Sequence, residues 1–267
     1  MTRKSGNPDA VVWDPAKGIV NPGPLESADA IVHLAGENIA GGRWTAAVKE
    51  RIRSSRVEGT RNLVRSLEGM QRRPETLICA SAIGFYGDRG DEVLAEDSPA
   101  GNGYLADVCN AWEHEAMAAT KLGMRVVCVR IGVVLSPKGG ALAKMLLPFK
   151  LCLGGNVGSG KQYWSWIGLH DLARAIQFCI ENESMQGPVN AVSPNPVTNA
   201  EFTKSVANVL HRPAVFPLPA FMAKLVLGEM AEELLLASVR VVPNELTTHG
   251  FQFGQPDLSD CLRYELS

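Results

Sequence analysis

No apolar run in this chain approaches the ~20 residues that a membrane-spanning helix requires. No block of like charge is long enough to act as a nucleic-acid arm or an acidic tail. The formal charge is only −2 over 267 residues, which argues against an electrostatic binder of nucleic acid or of membranes. The opening decapeptide, MTRKSGNPDA, is basic but has no apolar core behind it, so it does not read as a secretory signal. The six cysteines, Cys79, Cys109, Cys128, Cys152, Cys179 and Cys261, form no CxxC pair and no Cys/His cluster at metal spacing. Most lie inside apolar runs such as VVCVRIGVVL. They read as reduced core thiols of a cytoplasmic protein without a metal site. No Ser/His/Asp spacing supports a hydrolase.

What is present is an alternation. Strand candidates AVVW (10–13), AIVHL (30–34), TLICASA (76–82), RVVCVRIGVVL (125–135) and PVNAVS (188–193) are separated by helical patterns over 44–67, 104–122, 140–152, 170–182 and 198–210. The strongest strands are nearly continuous apolar runs, as parallel strands covered on both faces require. The pattern predicts an α/β fold with a doubly wound parallel sheet. From about residue 196 the texture changes. Thr198 and Glu201 have capping-box spacing, and the segments that follow read as a small, mostly helical lobe. The division drawn from this is 1–184 for the sheet domain and 185–267 for the C-terminal lobe.

Within this frame, IVHLAGENIAGGRW (31–44) reads as a strand running into a turn and then a helix. In that helix Val48, Ile52, Leu63 and Leu67 share an arc of roughly 100°. Gly59 and Arg56 lie in the same arc. Arg56 is read in two ways, as a side chain snorkelling at the stripe's edge or as a reach toward an anion. The helix from Tyr104 presents Leu105, Val108, Cys109, Trp112, Ala116 and Ala119 as a packing face. Ser81 ends a buried strand, where open α/β sheets bind ligands. A hydrogen bond to a substrate oxygen and one to local backbone are both open to it. GNVGSGKQ (155–162) nearly matches a phosphate-binding loop. However, Gln162 replaces the hydroxyl residue, and a helix rather than a strand precedes it, so a glycine-rich loop near a pocket fits better. Asp171 falls in a helix's first turn, and His170 beside it reads as a lone loop histidine.

The ordered set HLAGENIAGGRW, SRVEGT, SAIGFYGDRGDE, YLADVCNAWE, VRIGVVLSPKGGALAKMLLPF, GGNVGSG, NPVTNAEF and LPAF…LGE…LLL runs along essentially the whole chain. It resembles the atypical extended short-chain dehydrogenase/reductases known as epimerase family proteins. The resemblance implies a Rossmann-type fold with NADP as cofactor. By match to the family's motifs, Thr2 and Arg3 lie at the 2′-phosphate, and Leu34, Ala35 and Gly36 at the turn facing the phosphates. Arg56 and Arg130 match cofactor-side positions, and Ser81 matches the catalytic serine. The family's tyrosine–lysine pair is absent: Tyr104 is followed four residues on by Val108, and Leu105 by Cys109. Tyr86 is the substitute candidate for proton transfer. The implied activity is hydride transfer on a hydroxyl or carbonyl carbon of an unidentified small-molecule substrate.

Some relatives carry a cell-division-inhibitor label, so the alternative is a nucleotide-binding regulator or scaffold with a division-protein partner. The family also opens with a glycine-rich strand–helix–strand unit of about 30–45 residues. None precedes Ile31 here, so the chain reads as N-terminally incomplete and is expected to bind NADP weakly.

Overall fold

The computed structural model describes residues 10–267. Thr2 and Arg3 lie outside the described residues.

The described residues open with a short antiparallel hairpin, β1 (Trp13–Asp14) and β2 (Gly18–Ile19). The expected strand over 10–13 is therefore not a member of the main sheet. Val11 and Trp13 are apolar anchors that pin the hairpin to the core. Its backbone is held by Asn62 and Ser66 of the following helix. β3 (Ala30–His33) then leads into α1 (Ala46–Glu68), which starts on Thr45, whose hydroxyl accepts from the Val48 N–H. β4 (Thr76–Ala82) and the two-residue β5 (Val93–Leu94) precede α2 (Tyr104–Met117). A 3-10 turn carries α2 on to Leu122, and Gly123 ends it in the left-handed region at φ 80°.

The expected single strand over 125–135 is broken in two, into β6 (Arg125–Ile131) and β7 (Val133–Leu135). Gly132 is the reason. A Cβ there would meet the Ser165 carbonyl oxygen at 2.7 Å and the Val192 side chain at 2.8 Å, so glycine lets the chain pass close to the Ser165 backbone. Next come α3 (Gly140–Lys150), β8 (Tyr163–Trp164), β9 (Trp166–Gly168), α4 (Leu169–Glu181) and β10 (Gly187–Ala191).

The central sheet is parallel, in the order β10-β6-β4-β3. Alternate residues of its strands face opposite layers. Leu77, Cys79, Val126 and Cys128 pack with Leu63, Leu67, Trp112 and Ala116 of α1 and α2. Ile78, Val127 and Val129 pack with Leu172, Ala175 and Cys179 of α4 on the other side. Helices on both faces of a parallel sheet make the doubly wound arrangement expected from the apolar runs. β3 is an edge strand among the described residues.

The remainder is mostly helical: β11 (Val197–Thr198), α5 (Asn199–Leu210), α6 (Ala220–Leu227), α7 (Glu229–Ala231), β12 (Arg240–Val241), α8 (Asn244–Thr248) and α9 (Leu258–Leu266). The capping box at Thr198 and Glu201 is formed. β10 lies beyond residue 184 yet belongs to the central sheet, so the lobe's own elements start after it. Its short strands pair back with the sheet domain, β11 with β8 and β12 with β5. No helix among the described residues is long and apolar enough to cross a membrane.

Candidate functional site

The parallel register aligns Ser81 of β4 with Arg130 of β6, and Arg130 with Asn190 of β10. These three polar side chains form one row near the carboxyl ends of the strands. All three are buried, as is Tyr86 just beyond β4. Desolvating such groups without partners is costly, and each has one. The Ser81 hydroxyl donates to Glu113 Oε1 of α2 at 2.6 Å. Arg130 donates to the same carboxylate through Nε and Nη2, both at 2.9 Å, the forked geometry natural to a guanidinium. Its Nη1 donates to the Tyr86 hydroxyl at 2.9 Å and to the Glu96 carbonyl at 3.1 Å. Tyr86 Oη in turn lies 2.7 Å from Asn190 Oδ1 and 3.0 Å from the Ala95 carbonyl. The guanidinium is stacked 3.5 Å from the Phe85 ring centroid. Burial opposes the charge on Arg130, but the Glu113 carboxylate outweighs it and the pKa rises. Burial pushes the Tyr86 phenol up to about 12.

Tyr86, the candidate for proton transfer, is thus fully enclosed with its hydroxyl committed on both sides. Tyr104, at the start of α2, gives its hydroxyl to the Lys49 carbonyl at 2.6 Å. Cys109 is buried, and desolvation lifts its thiol to about 12. Ser81 bonds neither to local backbone nor, as its shortest contact, to anything but Glu113. That carboxylate is the functional residue the sequence reading missed. The available signal was its position one turn beyond Cys109, on the face of α2 that meets β4.

A second corner of the site is built differently. After β3 the chain passes Leu34 (55% exposed) and Ala35 to Gly36, which lies flat against Arg56. A Cβ on Gly36 would stand 3.0 Å from the guanidinium carbon. Arg56 Nη1 donates to the carbonyls of Glu37, at 3.0 Å, and Ile52, at 3.2 Å. The guanidinium lies 5.2 Å from the Trp112 ring centroid. Among the described residues no carboxylate forms an ion pair with Arg56. Burial lowers its pKa. Of the two readings, an anion-facing arginine fits this arrangement better than a solvated stem.

The loop at 155–162 follows α3 and enters β8, the wrong context for a phosphate loop. Gln162 is buried and donates to the carbonyls of Val157, at 2.9 Å, and Leu235, at 3.0 Å. The loop borders an open cleft of about 470 Å³ with Asp88, Lys224 and Glu232 on its walls. Asp171 is in the first turn of α4, but it is buried and holds the N–H groups of Gly254 and Gln255, both at 2.9 Å. Its task is to anchor the C-terminal segment. Among the described residues no three His, Cys, Asp or Glu side chains gather as a metal set.

A parallel sheet wrapped by helices, with a polar row at the strand ends, defines a Rossmann-type protein. Comparison with known proteins makes this specific. A family model described as the NAD dependent epimerase/dehydratase family matches residues 24–191, and a domain of unknown function (DUF1731) matches residues 218–265. An epimerase family protein of Mycobacterium bovis is 42% identical over 99% of this chain and 87% of its own length. The human epimerase family protein SDR39U1 is 35% identical, covering 98% of this chain and 89% of its own length. The crystal structure of that human protein with NADPH superimposes with a TM-score of 0.88 at 35% identity, over 98% of this chain and 88% of that one. A UDP-glucuronic acid 4-epimerase from Bacillus cereus, solved with NAD, shares the fold, with a TM-score of 0.71 at 14% identity over 91% of this chain and 75% of its own. The chain belongs to the NAD dependent epimerase/dehydratase family, as its motifs led us to expect.

Proposed function

We propose that this protein is an NADP(H)-binding, epimerase- or oxidoreductase-like member of its family, acting on a small molecule that carries a hydroxyl or carbonyl. The observation that carries the reading is Arg56, a half-buried cation with no carboxylate partner among the described residues, set against a glycine whose missing side chain leaves the guanidinium approachable. Such a corner suits a phosphate group. Leu34, Ala35 and Gly36 line its approach, and Thr2 and Arg3 take the 2′-phosphate by family match. When bound, NADP(H) supplies or accepts a hydride at an oxygen-bearing carbon.

Ser81 faces the substrate. Its proton is directed to Glu113, so its lone pairs are left to accept from a substrate hydroxyl. Arg130 holds Glu113 in place and acts from behind the site. The six free thiols, most of them buried, fit a reducing, cytoplasmic setting.

The enclosure of Tyr86 favours a second reading, in which the protein binds the nucleotide without turnover as a regulator or scaffold, with a division-protein partner. Titration of NADPH by its fluorescence tests the binding. Arg56→Ala is expected to weaken it about tenfold, and unchanged affinity overturns the assignment. A screen of carbonyl compounds and sugar nucleotides for NADPH consumption separates the two readings. Sustained turnover lost in Ser81→Ala excludes the scaffold.

A further inference from the structure

The net charge of −2 conceals a strong segregation. No aspartate or glutamate occurs between Glu115 and Asp171, or between Glu201 and Glu229. These two acid-free stretches meet on one side of the molecule. The loop after α3 runs beside the segment before α6, with the Phe216 N–H donating to the Gly154 carbonyl at 3.0 Å and the Leu218 N–H to the Asn156 carbonyl at 2.8 Å. Along this seam the large apolar side chains point outward: Leu147 is 64% exposed, Leu151 60%, Leu153 57%, Phe216 57%, Phe221 70% and Leu225 73%. On α6, Phe221, Leu225, Met222 and Val226 cover about 140° of helix at 100° per residue, while Ala223 faces inward. Lys150 and Arg212, from the same two stretches, stand exposed. The adjoining acids Glu229 and Glu232 are paired with Lys49 and Lys224, each at 2.8 Å.

We propose that this face docks on an anionic lipid surface, lying in the headgroup layer with Phe221, Leu225, Leu147 and Leu151 turned toward the acyl chains. Exposed helices with aliphatic and phenylalanine tips and a basic rim suit a bilayer interface. A second copy of the chain fits less well. An isologous contact would bring two basic rims together, and the adjoining Glu229 and Glu232 are already paired. This inference stands apart from the nucleotide reading, since it shares none of its residues.

Flotation with vesicles of equal parts phosphatidylglycerol and phosphatidylcholine, against vesicles of phosphatidylcholine alone, tests it. Binding is expected to the anionic vesicles only and to fall with added salt. Phe221→Glu with Leu225→Glu should reduce it at least about tenfold, and Lys150→Glu should reduce it less. These side chains are exposed, so thermal melting should show the variants folded. Equal binding to both vesicle types, no binding to either, or binding indifferent to the variants overturns the proposal. Two further results would also overturn it: a dimer in light scattering that Phe221→Glu dissociates, or preferential capture of polyglutamate.

Discussion

The polar row and the Arg56 corner are two ways of placing an arginine between the sheet and the layer of α1 and α2, and they differ in electrostatic completeness. Arg130 meets a carboxylate, a phenol, a carbonyl and an aromatic face, and four of its five N–H donors are taken. Among the described residues, Arg56 meets two backbone carbonyls and the ring of Trp112, and no carboxylate pairs with it. A guanidinium whose charge is answered by a carboxylate holds structure. One answered only by neutral oxygens retains an attraction for an anion. On the proposed reading, the contrast gives positioning to Arg130 and binding to Arg56, although both match cofactor-side positions of the family.

The largest expected effect comes from breaking the complete side of this comparison. Glu113→Ala leaves Arg130 buried without its carboxylate and should destabilise the protein by about 3–5 kcal/mol in denaturant titration. Combining it with Arg130→Met should recover much of that loss. If Glu113→Ala costs under about 1 kcal/mol, the network is not the structural unit described.

His33 sharpens the comparison, being buried in the same layer with one hydroxyl partner, Thr60, at 3.1 Å. Burial lowers its pKa from 6.5 to about 4. The unfolded chain therefore takes up a proton first as the pH falls. The stability due to neutral His33 is complete above pH 6.5 and drains away toward pH 4, by about 3 kcal/mol in all. Denaturation midpoints at several pH values should show this slope, and His33→Gln should flatten it.

On the incomplete side the effects are smaller and concern binding. Arg56→Ala, with its tenfold loss of NADPH affinity, should barely move the melting temperature, because no ion pair is broken. Gly36→Ala is subtler. Its methyl would press on the guanidinium, so a loss of a few-fold in NADPH affinity, about 0.5–1 kcal/mol, is expected at nearly unchanged stability. A large stability loss in either variant would make this corner structural and erase the distinction.

Much of the fold was legible because local signals agreed with the global one. The runs at 76–82 and 125–131 could be satisfied only as covered parallel strands. Thr198 and Glu201 announced the start of α5 by capping chemistry alone. What escaped depended on neighbours distant in the chain. The break at Gly132 is forced by the Ser165 backbone and Val192, which no window around residue 132 reveals. The apolar run at 10–13 looked like a strand of the main sheet, but its backbone pairs with residues 19–21 in a hairpin outside it. At the site, Ser81 and Arg130 stood out as positions. Their relation did not, because it passes through Glu113, and searching α2 for a lysine one turn after a tyrosine directed attention away from an acid. Tyr86 was legible as a residue type but not in its enclosure, which needs Asn190 and Ala95 to close it.

One further contact ties the halves of the molecule together. The first two free N–H groups of α2, at Tyr104 and Leu105, are both taken by the carboxylate of Glu233, at 2.9 and 3.0 Å. An anion at that end is favoured by the helix dipole. Glu233 comes from the turn after α7, so the helix that carries Glu113 to Ser81 is tethered at its front to the C-terminal region. Any hinge motion that opens the two halves must either release this tether or drag α2 along, and in the second case the serine would register the movement through its hydrogen bond to Glu113.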